Sequence, residues 1–433
     1  MIAFSIAQWV RSGIFAFFVI GTLFWLIKQL AETRISDAYH SVDAIVPAYN
    51  EELVVQDTVV DLIKNRYINQ VICVDDGSTD RTAEVLDDIC LSYPEKVIVV
   101  RKSNGGKASA LNEGLKYVTS DLVFFTDADT RIPNDDGIGR LIVQIHDDVV
   151  AADGISGSNL SAPSLLPRIR ATVKVPVILL LRCGMSIYGK APFCISGACG
   201  LYRTDVVREV GVPDRTGVED LDLTWTLVER GYKVGQSARC VVFTQESRSI
   251  RTEIRRWRRW TAGYGACMRL HRSLLWSRFG LLVIAPMAVI GVFGGLMLYV
   301  LPATIAAANG TFAWWLIAPP SWLVAGAILS LYSARICKDW TLVFYSPLSV
   351  LILLIALGCW IVWGIPALIT GKEPSRDKPP RYQTPGAAGR SPYVGQGLDS
   401  AIPPDYQKPG LFGDMPRSRR HEVCRPEVPG VWR

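Results

Sequence analysis

The stretch from residue 42 to residue 129 decides the fold. It holds four short apolar runs rich in β-branched residues: VDAIVPAYN (42–50), QVICVDD (70–76), KVIVVRK (96–102) and DLVFFTDAD (121–129). Helical patterns separate these runs, at 51–64, 82–91 and 107–118. The alternation predicts a parallel, doubly wound α/β sheet, whose buried strands are apolar on both faces and whose ligands sit at the carboxyl ends of the strands.

The composition changes on both sides of this region. The 433 residues are 49% hydrophobic and 20% charged, which fits a soluble domain combined with a membrane part. Uncharged residues at 12–27 predict a transmembrane helix, since the run ends in KQLAE and not in a cleavage site. Three further apolar runs follow, at 279–301, 313–334 and 341–368.

These boundaries predict five parts of the chain. They are an N-terminal transmembrane segment (1–34), a cytosolic α/β domain (35–247), a basic and aromatic interfacial helix region (248–276), C-terminal transmembrane helices (277–370) and a proline-rich disordered tail (371–433). One early span and three late ones would place the tail outside the cell, although its basic residues favour the inside. A re-entrant or interfacial segment among the late runs would remove this conflict.

Charge and motif spacing exclude several classes of function. The net charge of +6, from 46 basic and 40 acidic residues, is too small an excess for a nucleic-acid-binding protein. The ten cysteines form no C-x-x-C pair and only four histidines accompany them, so no zinc site is expected. The NGGK segment at 104–107 is not a Walker loop, because Arg101 stands at the first glycine position and Ala108 follows the lysine.

Acidic residues follow two of the predicted strands. Asp127 and Asp129 end the run DLVFFTDAD, where alternation along an extended strand would point both carboxylates toward one ligand. Such a pair suits a hard divalent cation that also binds phosphate oxygens, and a solvated turn is the alternative interpretation. The second acidic loop, VDDGSTD at 74–80, either contributes to the same ligand site or is an ordinary capped turn.

These segments resemble, in order and spacing, those of the membrane-embedded family 2 glycosyltransferases. The resemblance covers roughly residues 40–270 and rests on IVPAYNEE (45–52), VDDGSTD (74–80), NGGKASALN (104–112), DAD (127–129), EDLDLTW (219–225) and RWRRW (256–260). Val218 replaces the threonine of a T-E-D-x-D-x-x-W motif, and Arg256 replaces the glutamine of a Q-x-x-R-W motif. The pattern is most similar to bacterial poly-β-N-acetylglucosamine synthases, with cellulose and hyaluronan synthases more distant.

The resemblance implies a GT-A-like, Rossmann-type domain inserted between transmembrane helices, with a donor site at the strand ends. Asp129, with Asp127 as the second carboxylate and with the donor diphosphate, would hold Mg²⁺ or Mn²⁺. Tyr49 and Glu51 would contact the uracil, and Asp76 or its neighbour Asp75 would contact the nucleoside. Lys107 and Asp127 would contact the rest of the nucleotide.

The resemblance also implies an acceptor side. Asp220 would be the general base, Arg259 would meet the diphosphate, and Trp260 would form part of the acceptor platform. Ser196 and Gly197 fall where such enzymes line the acceptor site. These residue types suit the chemistry, because the attacking hydroxyl must lose a proton while negative charge develops on the leaving diphosphate.

The sequence therefore predicts an inverting, processive β-glycosyltransferase of the plasma (inner) membrane. It would extend a polysaccharide from a UDP-sugar, with UDP-N-acetylglucosamine as the expected donor. Its expected partners are the growing polysaccharide, membrane lipids and an accessory export subunit, and nucleic acid is not among them. Two alternatives stay open: a single transfer to a polyprenyl-phosphate or other lipid acceptor, and an inactive scaffold that binds nucleotide sugars.

Overall fold

The protein is described here from a computed structural model. The structure describes residues 24, 27, 31, 34–133, 135–161, 164–178, 182, 184–288, 310, 326–374 and 381–382. The predicted N-terminal span and most of the apolar runs at 279–301 and 313–334 therefore lie outside the described residues. So does most of the predicted disordered tail.

An eight-stranded mixed sheet forms the centre of the predicted α/β domain (35–247), called the catalytic domain after that prediction, in the order β3-β2-β1-β4-β7-β6-β8-β5. The strands are β1 (Val42–Ala48), β2 (Ile68–Asp75), β3 (Val97–Arg101), β4 (Leu122–Phe125), β5 (Thr130–Arg131), β6 (Val149–Ser158), β7 (Gly200–Arg203) and β8 (Lys233–Thr244).

Helices cover both faces of this sheet. Those of the catalytic domain are α1 (Val55–Lys64), α2 (Thr82–Ser92), α3 (Lys107–Leu115), α4 (Asp135–Ile142), α5 (Leu165–Val177), α6 (Gly184–Gly189), α7 (Thr204–Val210) and α8 (Glu219–Glu229). They are followed by α9 (Ile250–Leu270), a 3₁₀ turn (Leu274–Trp276), a π turn (Gly280–Ile284), α10 (Gly326–Cys337) and α11 (Leu342–Thr370).

The four predicted strands are confirmed as a parallel group. β1 pairs in parallel with β2 and β4, and β2 pairs in parallel with β3. Alternate side chains of β1 enter different cores, since Ile45 belongs to the same buried cluster as Trp225 of α8 and Val46 belongs to the same cluster as Val59 of α1. Burial on both faces explains why these strands are apolar runs without a polar side.

The other half of the sheet departs from the predicted parallel pattern. β7 runs antiparallel to both β4 and β6, and β5 runs antiparallel to β8. These two strands have four and two residues, too few to show a period in the sequence. The result is a mixed α/β sheet in which the parallel strand ends still face one edge.

Helix α9 joins the catalytic domain to α11 through a close glycine contact. A Cβ atom on Gly265 would lie 2.2 Å from the carbonyl oxygen of Gly364, so no larger residue fits there. The Thr261 hydroxyl donates to the Cys359 carbonyl at 3.2 Å, and the Arg269 guanidinium donates to the Ile369 carbonyl at 2.6 Å. The arginine- and tryptophan-rich segment is therefore fixed against the apolar helix.

Helix α11 coincides with the apolar run predicted at 341–368. Its 29 residues are long and apolar enough to cross a membrane. Residues next to both of its ends contact the catalytic domain: Asp339 forms an ion pair with Arg168 at 3.0 Å, and the Glu373 carboxylate accepts from the Gly217 amide at 2.6 Å.

Candidate active site

The predicted donor-site residues lie on loops at one edge of the sheet. Tyr49 and Glu51 follow β1, and Asp76 follows β2. Lys107 begins α3 after β3, and the Asp127-Ala128-Asp129 segment follows β4. Because these four strands are parallel, their carboxyl ends bring the loops together as the sequence predicts.

The D-x-D segment is a turn and not the end of a strand. β4 ends at Phe125, and the Thr130 amide donates to the Asp127 carbonyl at 3.2 Å. The expectation that strand alternation aligns the two carboxylates is therefore wrong. Each carboxylate meets a different cation: Asp127 pairs with Lys107, and Asp129 pairs with Arg381.

Lys107 links the predicted donor side of the site to the predicted acceptor side. Its Nζ lies 2.5 Å from Asp127 Oδ1 and 3.3 Å from Glu219 Oε1. Burial alone would lower the pKa of Lys107, but Asp127, Glu219 and Asp220 outweigh it and raise that pKa. Burial would raise the pKa of Asp127, and Lys107 instead holds it below its usual value. The pair is therefore ionised.

A residue of the C-terminal tail sits among the donor-site carboxylates. The Arg381 guanidinium contacts Glu51 through Nε at 2.8 Å and Nη2 at 3.0 Å, and its Nη1 bonds to Asp129. The adjacent Tyr382 carbonyl accepts from the Gln245 side chain at 2.6 Å. The proline-rich composition of the tail carries no signal for this contact.

These carboxylates fit a divalent cation in both chemistry and charge. Glu51 and Asp129 offer hard oxygen ligands and already share one cationic group, the guanidinium of Arg381. Burial raises the pKa of Asp129 to about 6, with Arg381 opposing that rise and Asp127 adding to it. Within the described part of the chain, no three His, Cys, Asp or Glu side chains form a metal cluster, so diphosphate oxygens would have to complete the ligand set.

Asp76 has a structural task that the sequence does not reveal. Its carboxylate accepts from the amides of Gly105 and Gly106 at 2.9 and 2.7 Å and from Lys102 Nζ at 2.7 Å. It therefore fixes the loop that leads to Lys107. The neighbouring Asp75 accepts from the Ser78 amide at 3.0 Å. A nucleoside contact by either residue stays a prediction.

Asp220 lies in the first turn of α8, with its side chain partly exposed to the site. Oδ1 accepts from the Leu221 amide at 2.8 Å, and Oδ2 accepts from the Gly197 amide at 3.2 Å. Burial and the neighbouring Glu219 raise the pKa of Asp220, whereas Lys107 lowers it. A carboxylate with a raised pKa in a site is suited to accept a proton.

Arg259 and Trp260 lie on α9 in different surroundings. The positive charge of Arg259 helps to lower the pKa of Asp127, after the larger effect of Lys107. Arg259 makes no hydrogen bond or ion pair with any residue in the ranges given above. The Trp260 ring lies 5.0 Å from Cζ of Arg170 and 5.9 Å from Cζ of Arg256. Its role as an acceptor platform stays a prediction.

A buried charge cluster next to Trp260 accommodates Arg256, the residue that replaces the glutamine of the Q-x-x-R-W motif. Arg256 Nη1 lies 2.5 Å from Glu246, which also pairs with Arg170 at 2.6 Å and with Lys174 at 2.8 Å. Arg170 also pairs with Glu253. Arg256 is thus compensated by an acidic partner. The sequence analysis did not predict this cluster. The sequence feature that could have indicated it is a pair of basic residues one turn apart in the helix at 165–177.

His271 joins α8 to the end of α9 between two carboxylates. Its Nε2 lies 2.9 Å from Asp222 and its Nδ1 lies 2.7 Å from Glu229. Burial lowers the pKa of His271, but the hydrogen bonds to Asp222 and Glu229 outweigh this and raise it above 6.5. Asp222 also pairs with Arg215 at 2.6 Å, so the contacts of Asp222 give it a structural role.

This arrangement predicts a pH-dependent stability. The imidazolium contribution is fully present below pH 6.5, the unperturbed pKa, and is lost as the pH rises through the higher pKa of the folded state. We expect His271→Ala to lower the free energy of unfolding by about 1–3 kcal/mol, because it removes the hydrogen bonds of the imidazole to two carboxylates, and to flatten this part of the pH profile. The measurement is the free energy of unfolding between pH 5.5 and 9. An equal loss at every pH would contradict the prediction.

Comparisons with known proteins agree with this geometry. The family model described as "Glycosyl transferase family 2" matches residues 43–211. A relative from Escherichia coli (strain K12), "Uncharacterized glycosyltransferase YaiP", is 43% identical over 374 residues, covering 86% of this chain and 94% of the relative. Poly-beta-1,6-N-acetyl-D-glucosamine synthase of Staphylococcus aureus (strain COL) is 28% identical over 200 residues, covering 46% of this chain and 48% of that relative.

A solved structure shows a similar fold. The mannosyltransferase PcManGT from Pyrobaculum calidifontis, solved in complex with GDP-Man and Mn²⁺, has a TM-score of 0.50 at 20% identity. The similarity covers 80% of this chain and 98% of that chain. It confirms the predicted GT-A-like architecture.

Proposed function

The chain belongs to glycosyl transferase family 2, and from that premise we propose that it is an inverting, processive β-glycosyltransferase that extends a polysaccharide from a UDP-sugar. The observation that carries the proposal is the position of Lys107, 2.5 Å from the donor-side Asp127 and 3.3 Å from Glu219, beside Asp220. One ammonium group thus joins the donor carboxylates to the turn that carries the base. UDP-N-acetylglucosamine is the proposed donor.

In this proposal the acceptor hydroxyl attacks the anomeric carbon from the face opposite the diphosphate. Asp220 takes the hydroxyl proton, the new C–O bond forms, and the bond to the diphosphate breaks, so the configuration inverts. Arg259 and Lys107 stabilise the negative charge of the departing UDP. Asp127 and Asp129, with Glu51 beside them, would hold Mg²⁺ or Mn²⁺, which supplies Lewis-acid stabilisation of the diphosphate.

One observation favours polymer extension over a single transfer, and a second is compatible with both reactions. The chain matches a poly-β-1,6-N-acetyl-D-glucosamine synthase at 28% identity over 200 residues, which is about half of that relative. The helix that carries Arg259 and Trp260 packs directly on the apolar α11. That packing would place a growing product beside a membrane helix. Transfer to a lipid acceptor is the second candidate, supported by the same contact.

The membrane arrangement follows from the contacts of α11. Ion pairs and hydrogen bonds next to both ends join it to the catalytic domain, and Arg381 beyond it reaches the active site. We therefore propose that the domain, residues 371–374 and residues 381–382 lie on the cytoplasmic side of the plasma membrane. α11 would be the interfacial or re-entrant segment among the late apolar runs. Because it would not cross the membrane, the basic tail would stay on the cytoplasmic side.

The test uses the full-length protein in membranes or detergent. It is incubated with a panel of UDP-sugars and Mg²⁺ or Mn²⁺, UDP release is measured, and the product is sized by mass spectrometry and gel filtration. We expect release from UDP-N-acetylglucosamine together with a polymer. A product of one sugar on lipid would replace the polymerase proposal by the second candidate, and no release from any UDP-sugar would refute both.

The contacts of Arg381 predict competition with the divalent cation. Arg381→Ala removes the group that occupies Glu51 and Asp129, so the Mn²⁺ concentration for half-maximal UDP release should fall several-fold. Arg251→Ala on the exposed surface of α9 removes the same charge away from the site and serves as the control. A higher Mn²⁺ requirement in Arg381→Ala would show that Arg381 supports donor binding and does not compete with the cation.

A further inference from the structure

The catalytic domain buries a carboxylate that the proposed reaction does not use. Asp153 lies on β6 and has no exposed surface. Its Oδ1 accepts a hydrogen bond from the Ser196 amide at 2.9 Å. Its Oδ2 has no hydrogen-bond partner among the described residues. Burial of a half-satisfied carboxyl group costs free energy, so a compensating role is expected.

The amide that Asp153 holds belongs to the segment that contacts Asp220. The next amide, that of Gly197, donates to Asp220 Oδ2 at 3.2 Å. The preceding amide, that of Ile195, donates to the Thr224 hydroxyl at 2.9 Å, and this hydroxyl donates to the Asp220 carbonyl at 2.7 Å. Three consecutive amides thus connect β6 and α8 through one short segment.

There is little space in which this segment could shift. A Cβ atom on Gly197 would lie 2.5 Å from Lys107 Nζ and 3.4 Å from Asp220 Oδ2. The backbone at Gly197 therefore lies directly against both the ammonium group and the carboxylate. A small rotation of the peptide would turn the Gly197 amide away from Asp220, and the Asp153 contact opposes that rotation.

We propose that Asp153 is a positioning residue, which holds the Ser196 amide so that the Gly197 amide fixes the orientation of the Asp220 carboxylate. The proposal rests on the general-base role of Asp220 given above. Asp153 touches neither substrate nor the reacting atoms in this scheme. Its effect reaches the reaction only through the segment 195–197.

The charge state of Asp153 distinguishes a positioning role from a role in proton transfer. Burial raises its pKa to about 7, opposed by Arg182, by the Ser196 amide and by the nearby Gln236 side chain, with Asp220 adding to the rise. Both protonation states can accept from Ser196 through Oδ1. Asparagine offers the same acceptor oxygen without titrating, and should therefore preserve a positioning role.

The experiment compares Asp153→Ala, Asp153→Asn and a control in the full-length protein. The control is Thr204→Val, which removes the hydrogen bond from the hydroxyl of the buried Thr204 to the Ser120 carbonyl at 2.8 Å and leaves the Asp153 side chain and its partners in place. We expect Asp153→Ala to lower kcat by about 10- to 100-fold, as for a displaced catalytic group, with KM for the UDP-sugar little changed. Asp153→Asn should recover most of kcat with the wild-type pH profile, and Thr204→Val should keep kcat.

A second measurement does not depend on turnover. Hydrogen exchange of the Ser196 and Gly197 amides should accelerate in Asp153→Ala and stay slow in Asp153→Asn. Unchanged kcat or unchanged exchange in Asp153→Ala would overturn the positioning role, as would loss of activity or a shifted pH profile in Asp153→Asn. If Asp153→Ala does not fold, Asp153→Leu, which keeps the buried volume, replaces it. No UDP release by the wild type would refute the proposed function itself.

Discussion

Asp220→Asn is expected to lower turnover by at least ~10²-fold, the lower end of what a positioned general base contributes. The amide cannot accept the proton of the acceptor hydroxyl, although its one oxygen can still accept from either the Leu221 or the Gly197 amide, which in the wild type donate to different carboxylate oxygens. UDP affinity should therefore stay within a few-fold of the wild type. The measurements are the UDP release rate at saturating donor and UDP binding by calorimetry.

Two neighbours on α8 provide matched controls. Glu219→Gln removes a carboxylate one residue away that pairs with Lys107 at 3.3 Å, so it should affect donor binding more than turnover. Asp222→Asn weakens the contacts to His271 and Arg215 and should act on stability. Nearly wild-type turnover in Asp220→Asn, with a large loss in Glu219→Gln, would move the base to Glu219.

The parts of this site that the sequence predicts are the ones encoded locally. Four apolar runs identify four buried strands, and parallel strands place their carboxyl ends at one edge. Lys107 and Asp127 therefore had to lie near each other, and they form an ion pair at 2.5 Å. Each motif sits within a few residues of a strand end, where the fold alone fixes its position.

The remaining contacts depend on residues far apart in the chain. Arg381 reaches Glu51 across 330 residues, and Asp153 reaches Ser196 across 43. No periodic pattern reports such pairs, because each side chain is one polar residue in an otherwise ordinary segment. The D-x-D orientation was mispredicted for a related reason: the strand ends two residues before Asp127, and a chain that leaves a strand no longer alternates.

The second large effect is expected for Asp129→Ala, which should reduce turnover by at least ~10²-fold, as loss of a group that stabilises developing charge typically does. Asp129 is one of two carboxylates available to a divalent cation in the D-x-D turn, and the described chain offers no larger cluster in its place. Excess Mn²⁺ should recover little activity, because the missing ligand sits where charge develops on the diphosphate. The measurement is UDP release over a Mn²⁺ titration.

The exposed pair of Arg81 and Glu84, 3.2 Å apart, offers the control for Asp129→Ala. Glu84→Ala removes an acidic group on α2 whose surface ion pair is worth little, so turnover and Mn²⁺ dependence should both stay unchanged. Asp129→Ala also frees one contact of Arg381, which would then be held by Glu51 alone. The double variant Asp129→Ala/Arg381→Ala should therefore remain as inactive as the single one, because removing the competing cation cannot restore a missing ligand. Full activity of the wild type in EDTA, or recovery in the double variant, would show that Asp129 serves to hold Arg381 and not a metal ion.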